Sequence, residues 1–91
     1  MANVIITLKI MPESPDADLS KIEESAKKMI SKFGGEVGKV DIIPVAFGLK
    51  ALNIYFVMDE KKGSTDKLET EISTISEVMS VEVTDVRRAI G

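Results

Sequence analysis

Apolar and polar residues alternate along four stretches of this chain and recur at helical spacing along two others. From Asn3 to Met11, Val4, Ile6, Leu8 and Ile10 fall on one side, and Ile5, Thr7, Lys9 and Met11 on the other. That is the pattern of a central strand with one wholly apolar face. Pro12-Glu13-Ser14-Pro15 stops it, because two closely spaced prolines continue neither a ladder nor a helix. Leu19, Ile22, Ala26, Met29, Ile30 and Phe33 then form a single helical stripe, which predicts a helix from Asp18 or Ser20 to Phe33. Asp18 is one cap; Ser20 with Glu23 is a capping-box alternative. Glu23/Lys27 and Glu24/Lys28 stand four apart in the favourable order, and Gly34-Gly35 supplies a left-handed stop.

Val37 to Val45 is again extended but carries Lys39, Asp41 and Pro44, which suits a sheet edge. Ala46-Phe47-Gly48 joins it to a third strand, Leu49 to Met58, in which Leu52, Ile54, Phe56 and Met58 make an apolar face. Asp59 to Gly63 is a polar loop, and Ser64 or Thr65 opens a second helix with the stripe Leu68, Ile72, Ile75. In a last strand, Met79 to Val86, Met79, Val81 and Val83 point one way and Glu82 and Thr84 the other; Arg87 to Gly91 is a tail. With right-handed crossovers, this βαββαβ order predicts an α+β, ferredoxin-like sandwich: a four-stranded antiparallel sheet with both helices on one face. Thr7, Lys9, Asn53 and Tyr55 lie on the face left open.

The length, 91 residues, suits a single domain spanning 1–91, and no repeat or linker divides it. Cys and His are both absent, so no disulfide, zinc-thiolate site or imidazole base is available. An enzyme is therefore disfavoured, and no cofactor or metal site is expected. A net charge of −3 and few aromatic residues disfavour direct nucleic-acid binding. No apolar run approaches the roughly 20 residues needed to span a bilayer, and no signal peptide is recognisable; a cytoplasmic protein is expected.

Phe47 is the sharpest candidate, because a large hydrophobe stands where a turn normally holds Asn, Asp or Gly. It either plugs the end of the core or is displayed to a partner, and composition leaves that choice open. Gly48 fixes the local backbone. Lys50, Arg87 and Arg88 are cations in an acidic chain; spacing does not place them together. Tyr55 reads as packing. The first loop holds Glu13, Asp16 and Asp18, which would repel phosphate and make a solvated acidic cap.

Pro44 to Ile54, PVAFGLKALNI, resembles the exchange domain of the translation elongation factor 1-beta family: a Pro, a small residue, Phe-Gly, an aliphatic, Lys, then Leu and a polar residue opening a strand. Ala46, Phe47, Gly48, Leu49, Lys50, Leu52 and Asn53 match. The opening strand running into MPESPDADL and the closing VEVTDVRR extend the likeness to the short archaeal form. The resemblance implies a guanine-nucleotide exchange factor that makes no covalent change. Its partner would be the GDP-bound GTPase elongation factor 1-alpha, whose Mg²⁺ and phosphate region it disturbs, and the free factor would be a monomer. It also implies a displayed Phe47 that inserts into the GTPase, with Gly48 and Lys50 of the same motif as further contacts. Arg87 and Arg88 are nearby cations outside the motif position, and their charge alone makes them additional candidate contacts. Eukaryotic members carry a near-terminal Lys reaching towards the metal; counted from Thr84-Asp85, that position is Gly91 here. The alternative class is a small-molecule-sensing regulatory domain of the same topology, acting as a homodimer.

Overall fold

The antiparallel pairing of the first and third strands brings their apolar faces into one layer. In the computed structural model, which describes residues 3–89, β1 is Asn3–Pro12, α1 Leu19–Phe33, β2 Glu36–Pro44, β3 Lys50–Asp59, α2 Asp66–Ser73 and β4 Val78–Ala89. The four strands make one sheet in the order β2-β3-β1-β4, antiparallel throughout. Ile6 lies opposite Phe56, Leu8 opposite Ile54 and Ile10 opposite Leu52, and all six are buried. Ile22, Ala26 and Ile30 of α1 and Leu68 and Ile72 of α2 join them in one core, so both helices cover the same face. This is the ferredoxin-like arrangement.

Asp18 caps α1: its carboxylate accepts from the Lys21 N–H at 3.2 Å, which decides between the two candidate caps. At the other end Gly34 sits at φ 105°, and the Gly34 and Gly35 amides both donate to the Ile30 carbonyl. α2 is short. Thr65 directs its hydroxyl to Glu69 at 2.9 Å instead of capping the backbone, and Ser64 accepts from the Asp66 N–H. Ile75 lies past the helix end yet still packs on the core. No helix among the described residues is long and apolar enough to cross a membrane.

β4 departs from simple alternation. Its register against β1 shifts twice, leaving Met79 and Thr84 as extra residues. Val78 therefore faces the core beside Pro12, whereas Met79, expected to point inward with Val81 and Val83, is exposed. The Thr84 hydroxyl reaches back to the Thr7 carbonyl at 3.5 Å. Beyond that bulge Asp85 and Arg87 lie opposite Thr7 and Ile5 on the open face, and Val86 and Arg88 lie opposite Ile6 and Val4 on the helix side. Arg87 and Arg88 are thus strand residues, not a tail. Periodicity could not show this, because one extra residue inverts the parity of everything after it.

Gly35 is held by a close approach. A Cβ there would stand 2.8 Å from both Ile30 Cγ2 and Phe56 Cδ2. Gly35→Ala is expected to cost about 1–3 kcal/mol through overpacking and to lower Tm by roughly 4–8 °C per kcal/mol. A thermal melt matching that of the unsubstituted protein would show that the seam yields.

Candidate partner-binding site

The β2–β3 connection is built like a hairpin tip. Pro44 and Lys50 form its last rung, the Val45 N–H donates to the Leu49 carbonyl at 2.8 Å, and the Leu49 N–H donates to the Ala46 carbonyl at 3.2 Å. Between them Phe47 takes φ 62°, ψ 30° and Gly48 φ 76°, two successive left-handed residues in the manner of a type I′ turn. Such a turn suits the twist of antiparallel strands but usually has Asn, Asp or Gly first. A phenylalanine held left-handed costs about 1–2 kcal/mol. Nothing in its surroundings offsets that cost, since Phe47 is 93% exposed. The backbone is strained and the ring is displayed. The signal in the sequence is Gly48, which takes the second left-handed position of the turn.

Lys50 follows directly and borders a cleft with Pro12, Asp18 and Ser20, beside the acidic first loop. The arginines are elsewhere. Asn3 of β1 lies opposite both Asp59 and Ala89, so Arg87 and Arg88 share the sheet end where β3 finishes, whereas Lys50 stands where β3 begins. At about 3.3 Å per residue, those ends are roughly 30 Å apart. Phe47, Gly48 and Lys50 therefore form one group, and Arg87 and Arg88 do not join it. Gly91, where the resemblance places the eukaryotic Lys, lies outside the described residues.

The two arginines also differ from each other. Arg87 Nε meets Asp85 Oδ2 at 2.8 Å on the open face. Arg88 donates from Nε at 3.2 Å and Nη2 at 3.0 Å to Glu60 Oε2, tying β4 to the turn Glu60–Lys62. That turn is fastened elsewhere too: Asp59 accepts from the Lys61 N–H, and Lys62 fills the space a Cβ at Gly34 would need. Residues this far apart in sequence leave no local signal of the Arg88–Glu60 link. On the open face Lys39 Nζ lies 5.6 Å from the Tyr55 ring centroid, consistent with a packing role for Tyr55. Among the described residues no three carboxylates converge as metal ligands.

Comparison with known proteins bears on this geometry. Residues 5–89 match the family model of the EF-1 guanine nucleotide exchange domain. The chain belongs to that family. Elongation factor 1-beta of Methanothermobacter thermautotrophicus is 44% identical over 97% of this chain and 98% of its own. Those of Methanobrevibacter smithii and Staphylothermus marinus are 41% and 40% identical with the same coverage. Membership of the EF-1 exchange family supports a guanine-nucleotide exchange role, and the motif around Phe47 and Gly48 falls inside the matched region. Among solved structures, the ACT domain from GTP pyrophosphokinase of Chlorobium tepidum superposes with a TM-score of 0.60 at 17% identity, covering 89% of this chain and 97% of that one. The C-terminal domain of the MgtC protein from Mycobacterium tuberculosis gives 0.61 at 12%, covering 98% and 88%. These two likenesses are of fold alone.

Two outcomes follow from the local geometry. Phe47→Asn, which tolerates the left-handed region, is expected to stabilise the fold by about 1 kcal/mol; a lowered Tm would mean that the ring packs on its own domain. For the Arg88–Glu60 link, Arg88→Ala should loosen the 60–62 turn. The exchanged pair Arg88→Glu with Glu60→Arg should restore its amide-exchange protection. Failure of the exchanged pair to restore it would show that the two side chains do not act through each other.

Proposed function

We propose that this chain drives GDP off elongation factor 1-alpha and allows GTP to enter, with Phe47 as the side chain that inserts into the GTPase. One observation carries the reading: an aromatic ring stands outside its own fold on a strained, hydrogen-bonded turn, inside the region that matches an exchange-domain family. Strain retained where no packing offsets it is common at functional sites. A ring of this size brings roughly 150–250 Å² of apolar surface to a pocket and behaves as an anchor. The tight turn holds it outward before binding, so less ordering entropy is lost on association.

The action needs no covalent step. Factor and nucleotide bind the GTPase with opposed preference, so each weakens the other by the same ratio, about 1.4 kcal/mol for every tenfold. Since Phe47 and the arginines stand roughly 30 Å apart along the sheet, one small pocket cannot hold both. The reading therefore gives them separate places on the partner. The hairpin end, with Gly48 and Lys50 beside Phe47, anchors the factor. The end carrying Arg87 and Arg88 addresses the Mg²⁺ and phosphate region, towards which the resemblance directs the near-terminal position. Arg87 is the freer contact; Arg88 acts chiefly by holding the 60–62 turn through Glu60.

Release of labelled GDP from elongation factor 1-alpha tests this directly. The wild type should accelerate release, and Phe47→Ala should lower the acceleration by about 30-fold, the equivalent of a 2 kcal/mol anchor. Equal release by both would remove Phe47 from the mechanism. No acceleration by the wild type, together with a melting shift on adding a small ligand to a homodimer, would favour the regulatory-domain alternative. Arg87→Ala should slow release with little change in Tm, and Arg88→Ala should be reproduced by Glu60→Ala.

A further inference from the structure

Exposed apolar surface is gathered at one end of the sheet. Of the six large exposed hydrophobics among the described residues, Ile42, Ile43, Phe47 and Met79 lie at the hairpin end. The open face shows a matching division. Across it, Glu36 and Arg87 mark the edges of one row, Lys39 and Asp85 of the next, and Asp41 and Glu82 of a third. The fourth row, beside the Phe47 turn, has no charge. It runs from Ile43 on β2 through Ala51 on β3 and Met11 on β1 to Ser80 on β4, with the exposed Met79 at the bulge next to Ser80. Ala51 is only 1% exposed although it lies on the face opposite the helices, so this row is closely covered by neighbouring side chains of the sheet and forms an uncharged shelf.

We infer that this uncharged shelf is the second contact of the GTPase that takes Phe47, and that it meets an apolar, weakly charged surface of that protein. The inference rests on the function proposed above and goes beyond it in naming a surface outside the turn. Three observations favour this occupant. The shelf adjoins the anchor through Ile43 and Pro44, so a protein seated on the ring reaches it without a gap. It lacks the charges that keep the other three rows solvated, and charged groups are depleted at the centres of interfaces. It spans four strands, roughly 14 Å, and is one row deep. That is well short of the roughly 800 Å² per partner that a stable interface buries, which disfavours a second copy of this chain sitting on it alone. Around an inserted ring, the same strip would help to exclude water from the hot spot.

The test follows dissociation of the factor from nucleotide-free elongation factor 1-alpha for the wild type, Ile43→Ser, Met79→Ser, their double variant and Phe47→Ala. Affinity changes at an interface appear mainly in the off-rate: each single variant should leave about threefold faster and the double about tenfold. The effect should be nearly independent of salt, because no charge is removed. Both side chains are exposed, so the double variant should melt close to the wild type. If it does not, Ile43→Thr with Met79→Gln replaces it. A double variant leaving within about twofold of the wild-type rate, while Phe47→Ala leaves faster, would confine the footprint to the turn and overturn the shelf. If Phe47→Ala is unaffected as well, the anchoring role itself fails. A wild-type dimer in sedimentation that the double substitution dissolves would assign the shelf to a second copy and overturn the proposal.

Discussion

The seam between β1 and β3 sets Ile6 against Phe56, Leu8 against Ile54 and Ile10 against Leu52, and the two helices close over it. Each side chain of this kind contributes about 1.5–3 kcal/mol when buried. A chain of 91 residues without cysteine has no covalent staple to fall back on. The seam needs close approach from α1, and Gly35 permits it by leaving room against Phe56. β2 and β4 are then added at the edges of a sheet whose direction is already fixed. Everything displayed at the two ends takes its position from that central pair.

Two consequences for binding follow. One face of the sheet is committed to the helices, which leaves the other face and both ends available. The β2–β3 hairpin closes with a turn so tight that its aromatic residue is forced outward, into a backbone region that phenylalanine seldom visits. Stability alone would favour a different residue there. A strained exposed ring and a well-packed interior stand in the same small chain, and under the proposed function recognition asks for a residue at the turn that folding alone does not favour.

Much of the fold was legible because its signals are local. Val4 to Ile10 and Leu52 to Met58 each keep one alternate set wholly apolar, and the α1 stripe ends at the glycines that terminate the helix. The Asp18 cap and the edge character of β2 could also be anticipated from residue type. β4 was less legible: its bulges at Met79 and Thr84 depend on matching β1, a partner many residues away, so alternation alone placed Met79 inward and ended the strand too early. The candidate site divided in the same way. Phe47 stood out by type, since a turn rarely holds it, whereas the separation of Lys50 from the arginines and the tie between Arg88 and Glu60 exist only in three dimensions.

The bulge at Thr84 also bears on how chain length can vary among relatives. Because Thr84 has no counterpart on β1, losing it would straighten the strand and leave Asp85 opposite Thr7 and Val86 opposite Ile6, as they are now. Loss of a residue just beyond it, at Val86, would instead turn the following segment over, laying Arg87 against the apolar side and Arg88 on the open one. A gap in an alignment is therefore harmless at one position of this strand and inverting two positions later.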